Sequence, residues 1–306
     1  MDWLLARQAR IEARLARRHL REHSLVLYDI TSTYYEGSHC PLAAFGHNRD
    51  GKRGKRQIVF GIVTDDQGRP VAVEVYRGNT SDPQTVGDQV KKIRERFGLR
   101  YVVLVGDRGM LTQARIEALK GIEGMAWISA LRAPALRQLM DQGLIQPSLF
   151  DERDLAEITS PDYPGERLIV CRNPYLAEER QRTREELLAA TEADLARLAR
   201  RVAAGRLKRP EKIGEALGRI LAKSKVGKHF RCEVGPGRFA YRRDTASIEQ
   251  EAALDGFYVI RTSVPAEVLS AEDVVLGYKR LSHVERLIRT IKTVVTRVRP
   301  IHHWTE

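Results

Sequence analysis

The sequence predicts a mixed α/β sheet flanked by helices and interrupted by a largely helical insertion. Three observations carry this. Apolar runs over 25–31, Gln57 to Thr64 and Pro70 to Arg77 come first, and the last two are joined by the hairpin turn Asp65-Asp66-Gln67-Gly68. Helical and strand patterns then alternate through about residue 130, so a helical crossover feeds a parallel strand. From 131 to 255 the texture becomes charged and helical, before a strand pattern returns at Phe257 to Thr262.

Each element has a local cause. Residues 1–24 read as a basic helix, with Leu4, Leu5, Ile11, Leu15 and Leu20 set among Arg14, Arg17, Arg18 and Arg21. A polar loop over 39–56 ends in the cluster Arg49, Lys52, Arg53, Lys55, Arg56. Pro83, behind Ser81 and Asp82, opens a helix running to about Phe97. Tyr101 to Gly106 is strand, Thr112 to Lys120 helix, and Met125 to Ala130 strand. Residues 134–165 are mixed and carry Pro134, Pro147, Pro161 and Pro164. Leu188, Leu195, Leu198 and Val202 mark one long helix over 175–204, and Ile213, Leu217, Ile220 and Leu221 a second over 211–225. Gly205 and Pro210 break the chain between them, so the pair predicts a helical hairpin. Two short strands around 229–234 and 238–242 follow, and 271–295 reads as one amphipathic helix. The domain boundaries that result are 1–24, 25–130, 131–255 and 256–306.

Composition narrows the function. The 306 residues carry a formal net charge of +12 and a pI near 9.8, which makes a polyanion the first partner to consider. No apolar run approaches the ~20 residues of a membrane span, and Met1-Asp2-Trp3-Leu4-Leu5 leads into Arg-rich helix without a secretory core. Three widely spaced cysteines, Cys40, Cys171 and Cys232, fit a reducing compartment, so a cytoplasmic protein is expected. The loop residues His39, Cys40 and His47 match no zinc spacing. Neither a Gly-x-Ser-x-Gly elbow nor a phosphate-binding Gly-Lys-Ser/Thr loop is present.

The chemistry lies in three carboxylates. Asp29 ends the run Leu25-Val26-Leu27-Tyr28, Asp107 ends Tyr101 to Gly106, and Glu285 lies on the C-terminal helix. Taken singly, an Asp after a strand is ordinarily a turn residue, and a Glu among arginines an ion-pair partner. Together they suit divalent metal, because carboxylates converging from rigid elements hold magnesium or manganese for two-metal phosphoryl transfer. On an uninterrupted helix Tyr278, Glu285 and Lys292 fall on nearly one line, beside the apolar stripe Leu281, Val284, Ile288, Ile291 and Val295. Arg289 lies one turn beyond Glu285, within reach of a phosphate.

The words around these residues resemble the DDE transposases of bacterial insertion sequences, in the IS-four superfamily. Tyr28-Asp29-Ile30-Thr31-Ser32 is similar to the family's first-Asp segment, and Gly78-Asn79-Thr80-Ser81-Asp82 to the turn that follows its strand pair. Gly106-Asp107-Arg108-Gly109-Met110 resembles the second-Asp segment, and Asp255 to Thr262 the strand before the last helix. Tyr278, Glu285 and Lys292 match three positions of the family's Tyr-x2-Arg-x3-Glu-x6-Lys signature, while Leu281 stands where that signature has Arg.

The resemblance implies an RNase H-like core with an insertion domain. It implies two Mg2+ ions, replaceable by Mn2+, on Asp29, Asp107 and Glu285, and DNA-backbone contacts from Tyr278, Lys292, Arg289 and Arg108. It further implies double-stranded DNA as substrate, nicking at transposon ends followed by strand transfer, a homodimer on paired ends, and a place in the cytoplasm at the nucleoid. The short stretch before Asp29 and the end at His302 to Glu306 suggest a truncated chain, so the alternative expectation is a non-catalytic DNA-binding remnant.

Overall fold

The computed structural model describes residues 2–145, 150, 154–295 and 297–302. Pro147 and residues 303–306, which figure in the sequence reading, lie outside the described residues.

Ten strands are described: β1 (Ser24–Tyr34), β2 (Gln57–Thr64), β3 (Pro70–Arg77), β4 (Val102–Val105), β5 (Met125–Ala130), β6 (Leu155–Ile158), β7 (Arg167–Arg172), β8 (Phe230–Gly235), β9 (Arg238–Arg243) and β10 (Phe257–Thr262). Eight of them form one sheet in the order β3-β2-β1-β4-β5-β10-β7-β6, and β8-β9 is a separate ribbon. β1, β2 and β3 are antiparallel neighbours, while β1-β4 and β4-β5 are parallel. An antiparallel meander followed by parallel strands beside its first member is the RNase H-like arrangement that the resemblance implied.

The sheet is covered on both faces. The described helices are α1 (Asp2–Leu5), α2 (Gln8–His19), α3 (Asp82–Lys91), α4 (Gln113–Lys120), α5 (Ala133–Asp141), α6 (Pro174–Ala203), α7 (Pro210–Leu221), α8 (Thr245–Ala252), α9 (Ala271–Lys279) and α10 (Leu281–Thr290). Because strand side chains alternate, successive residues of β1 feed different cores. Val26, Tyr28 and Ile30 pack with Ala16 of α2, Val86 and Val90 of α3 and Ile116 and Leu119 of α4. Leu27 packs on the other face with Val103, Val105, Val274, Val275, Val284 and Ile288, which brings α9 and α10 over that side. β2 is buried along its whole length, as a strand with neighbours on both sides and helices on both faces must be. Local chemistry closes the connections. Asp65 Oδ1 accepts the backbone N–H groups of Gln67 and Arg69 at 3.0 and 2.9 Å in the β2–β3 turn, where Gly68 has φ +76°.

The structure departs from the sequence reading in three places. First, the basic helix is shorter than 1–24: α2 ends at His19, and β1 begins at Ser24. Second, the sheet does not stop at residue 130. β6 and β7 extend it beyond β10, so part of the stretch read as insertion belongs to the main sheet. Ile169 and Cys171 face the α9–α10 core, and Leu168 and Val170 face α5, which gives β7 two buried faces and no alternation to betray it. The helical unit proper is α6, α7 and the β8-β9 ribbon. Leu188, Leu195, Phe230 and Val226 form one of its cores, and Leu198, Val202 and Ile213 another.

Third, the C-terminal helix is not continuous. It breaks at Arg280 into α9 and α10, then widens into a π-type turn over Ile291–Val295. Leu281, Val284 and Ile288 are buried as the stripe predicts, while the Val295 side chain lies outside what is described.

β10 is fixed by a buried ion pair. Arg261 Nε and Nη2 donate to Glu166 Oε2 and Oε1 at 2.6 Å each, and Arg261 Nη1 donates to Gln113 Oε1 of α4 at 3.0 Å. The Glu166 side chain is fully buried. Glu166→Ala leaves Arg261 buried without its carboxylate and is expected to destabilise the chain by ~3–5 kcal/mol in urea unfolding. The Glu166→Leu/Arg261→Met pair is expected to recover most of that loss; a double variant no better than the single would show that burial of the charge is not the cause.

Candidate active site

The β1–β4 register brings two carboxylates together. Leu27 pairs with Val105 in parallel. Two residues further along β1 comes Asp29, on the face that carries Leu27, and two residues past the end of β4 comes Asp107. Asp29 lies within β1, between the buried Tyr28 and Ile30, opposite Ile62 of β2. Asp107 follows β4 and is exposed. Its Oδ1 accepts the N–H groups of Gly109 at 3.0 Å and Met110 at 2.7 Å. Asp107 is therefore a turn residue as well as a candidate ligand, and the turn holds the carboxylate in a set orientation.

Glu285 faces the pair from α10, near enough for its charge to act on Asp29. Val284 and Ile288 press this helix onto Leu27 and Val105, which leaves Glu285 exposed at the edge of the packed face. The electrostatics tie the three groups. Burial pushes the Asp29 carboxyl up to about 7, and the negative charges of Asp107 and Glu285 add to that; the Ile30 N–H and the Arg49 guanidinium act in the opposite direction. The Ile30 N–H donates to Asp29 Oδ1 at 2.8 Å. Tyr278, half-buried on α9, is pushed up to about 12, chiefly by burial and further by Asp107 and Glu285, while Arg108 opposes the shift.

The oxygen-only donor set and its surplus of negative charge are the chemistry that magnesium or manganese requires. Among the described residues no three His, Cys, Asp or Glu side chains stand close enough to hold an ion, so the carboxylates have not closed on one another. An added cation would offset their repulsion.

The other sequence-singled residues fall in different surroundings. Arg108 is exposed beside Asp107, and Arg289 is exposed one turn from Glu285. Lys292 is only 8% exposed, on the π-type turn. Its Nζ donates to Ser32 O at 2.6 Å, Asp50 Oδ1 at 2.8 Å and Thr31 Oγ1 at 3.1 Å. The single line through Tyr278, Glu285 and Lys292 assumed an unbroken helix. The break at Arg280 and the wider turn after Thr290 place these residues in three environments instead.

Sequence reasoning treated Arg49 only as part of a basic cluster. It is the cation that bears on Asp29, and it is held by an ion pair with Asp82. Nothing in the sequence marks Asp50, because the polar loop 39–56 has no periodicity to show which member points inward.

A family model of the transposase DDE domain matches residues 21–303. The chain belongs to the DDE transposase domain family. No curated protein sequence matches this DDE chain. Among solved structures it is similar to piggyBac transposase in a synaptic complex with hairpin DNA, at 9% identity and a TM-score of 0.41, over 89% of this chain and 41% of that one. It is also similar to Mos1 transposase in a paired-end complex with the left transposon end, at 13% identity, TM-score 0.25, over 43% and 42% of the two chains. The Mos1 mariner paired-end complex with Mn gives 12% identity and TM-score 0.22, over 39% and 42%. The DDE chain thus spans less than half the length of each of these transposases. Among its described residues no helix is long and apolar enough to cross a membrane.

The raised Asp29 carboxyl has a measurable consequence. Between the ordinary value of 3.8 and about 7 the folded chain holds a proton that the unfolded chain has lost, so this group's contribution to stability falls as pH rises through that window. Asp29→Asn removes the ionisation. In chelator at pH 8 the variant is expected to be more stable than the parent by up to about 4 kcal/mol, a gain that vanishes near pH 4. Thermal unfolding of both proteins across that range checks it; a stability difference that does not vary with pH would argue against a strained carboxylate.

Proposed function

We propose that this chain is a transposase of a bacterial insertion sequence, in the IS-four superfamily, that cuts DNA at transposon ends and joins it to target DNA. The reading is carried by one observation: Asp29 in β1 stands near enough to Asp107, just past the end of the parallel strand β4, and to Glu285 on α10 for both to raise its carboxyl. Its main sheet is the catalytic core, α6 to β9 the insertion domain, and the basic α2 a segment that meets DNA. The net charge of +12 suits a duplex partner. A homodimer on paired ends, working at the nucleoid in the cytoplasm, completes the proposal.

Asp29, Asp107 and Glu285 would hold two Mg2+ ions, with Mn2+ able to replace them. When bound, the ions supply an activated attacking oxygen and charge relief at the leaving oxygen. The chain's own residues do the rest. Rigid β1 and the Asp107 turn fix two of the carboxylates, and α10 carries the third. Exposed Arg108 and Arg289 flank them, where each would meet a backbone phosphate and set the scissile bond. Tyr278 stays protonated at neutral pH and so offers its hydroxyl as a hydrogen-bond donor. Hydrolysis frees a 3′-hydroxyl, which then attacks a target phosphodiester in the same cleft.

Nicking of a labelled duplex bearing the element's terminus is expected with Mg2+ or Mn2+ and not in chelator. Asp107→Asn should lower it by more than ~100-fold, the upper range for losing a residue that merely supports a metal ligand. Duplex binding should survive that substitution and weaken steeply with salt. Nicking that persists in Asp107→Asn would sink the proposal; binding without nicking in the parent would favour the DNA-binding remnant.

A further inference from the structure

The signature lysine is not free. The ammonium of Lys292 has three N–H donors, and Thr31 Oγ1, Ser32 O and Asp50 Oδ1 accept all three. Its main partner is deeper still: the Asp50 side chain is 2% exposed. Asp50 Oδ2 accepts the Tyr34 N–H at 3.1 Å, and Arg299 Nε stands 3.5 Å from Oδ1. A single buried pair thus joins the far half of β1, the turn after α10, the loop between β1 and β2, and the C-terminal segment.

The loop is shaped around that pair. Asn48 Oδ1 accepts the N–H groups of Asp50 at 2.8 Å and Lys52 at 3.2 Å, which folds 48–52 into a tight turn. The Arg49 N–H reaches Ser32 Oγ at 3.4 Å, and its guanidinium pairs with Asp82. Just beyond, Lys52, Arg53 and Lys55 are exposed, the first two between Gly51 and Gly54 at φ +70° and +74° and the third directly after Gly54. Four cations within residues 49–55 are therefore held next to the strand that carries Asp29.

We propose that Asp50 and Lys292 form a latch that fixes the 46–56 loop beside the carboxylates, and that this loop, rather than Lys292, grips the DNA backbone there. The choice of DNA as ligand rests on the function proposed above; the latch does not. A basic loop left loose would lose conformational freedom on binding, and ordering it beforehand removes that cost. Asp50→Asn leaves the Lys292 ammonium buried without a carboxylate, and in Lys292→Met the more distant Arg299 Nε only partly replaces the lost cation, so either substitution should release the loop. Lys292 and Asp50 act here as positioning residues.

The test uses the full chain with Asp50→Asn, Lys292→Met and the double variant. In the absence of DNA, tryptic cleavage after Lys52, Arg53 and Lys55 should quicken by about tenfold in each single variant, while sites in α6 keep their protection. The double variant should be cleaved no faster than the faster single one, because both remove the same latch.

Duplex binding followed by fluorescence anisotropy across a salt series, in chelator, gives the second readout. Asp50→Asn removes a negative charge, so simple electrostatics expects tighter binding to a polyanion. The latch expects binding weaker by about tenfold with a shallower salt slope. The proposal is overturned if Asp50→Asn binds DNA as tightly as the parent with unchanged cleavage, while Lys292→Met alone lowers the slope by about 0.9. Should Lys292→Met fail to melt cooperatively, Asp50→Asn decides alone. A parent that binds no duplex would defeat the transposase reading, and the protease pattern would still decide the latch.

Discussion

The parallel pairing of β1 with β4 is the constraint on which the rest depends. Its register aligns Leu27 with Val105, so Asp29, two residues on, and Asp107, just past the end of β4, come to the same end of the pair. Two carboxylates do not gather there of their own accord. They are carried there by the apolar residues before them, since Leu27, Val103 and Val105 must meet α9 and α10 to be buried. The hydrophobic packing offsets an electrostatic cost that lands on Asp29. That cost is softened by the Ile30 N–H and by Arg49, and it is not removed.

The helix opposite follows the same division of labour. Val284 and Ile288 seat α10, and Glu285 follows from their placement. Even seven-residue spacing suggests that Tyr278, Glu285 and Lys292 do one job in a row. The break at Arg280 and the π-type turn divide them instead into a half-buried phenol, an exposed carboxylate and a buried cation. A conspicuous lysine is thus turned inward, to Thr31, Ser32 and Asp50.

Much of this was legible from the chain. β2, β3, β5 and β10 lie where their apolar runs and turns placed them, because each run is bounded by strong turn or helix signals. Asp29, Asp107 and Glu285 stand out in the chain because each ends or edges an apolar pattern. The missing pieces have physical reasons. β6 and β7 are short and irregularly bounded, and β7 has two buried faces. The break at Arg280 leaves no mark, since neither Gly nor Pro stands there and Arg280 keeps helical backbone angles, φ −64° and ψ −15°. The Asp50–Lys292 and Glu166–Arg261 pairs join residues remote in sequence, and periodicity reports only local order.

The late arrival of β10 bears on how this chain is made. β5 is synthesised early, and its Ala130 pairs with Ile260, so the whole helical unit is translated before β5 gains that neighbour. Until then β5 presents an unpaired, largely apolar edge, with Met125, Trp127 and Ile128 among its residues. Such an edge invites pairing with another nascent chain, and closing the sheet over so long a separation is slow. The long stretch between β7 and β10 therefore sets a kinetic hazard for the chain's own synthesis, and α6–α7, a pair of helices close in sequence, is the part suited to fold within that interval.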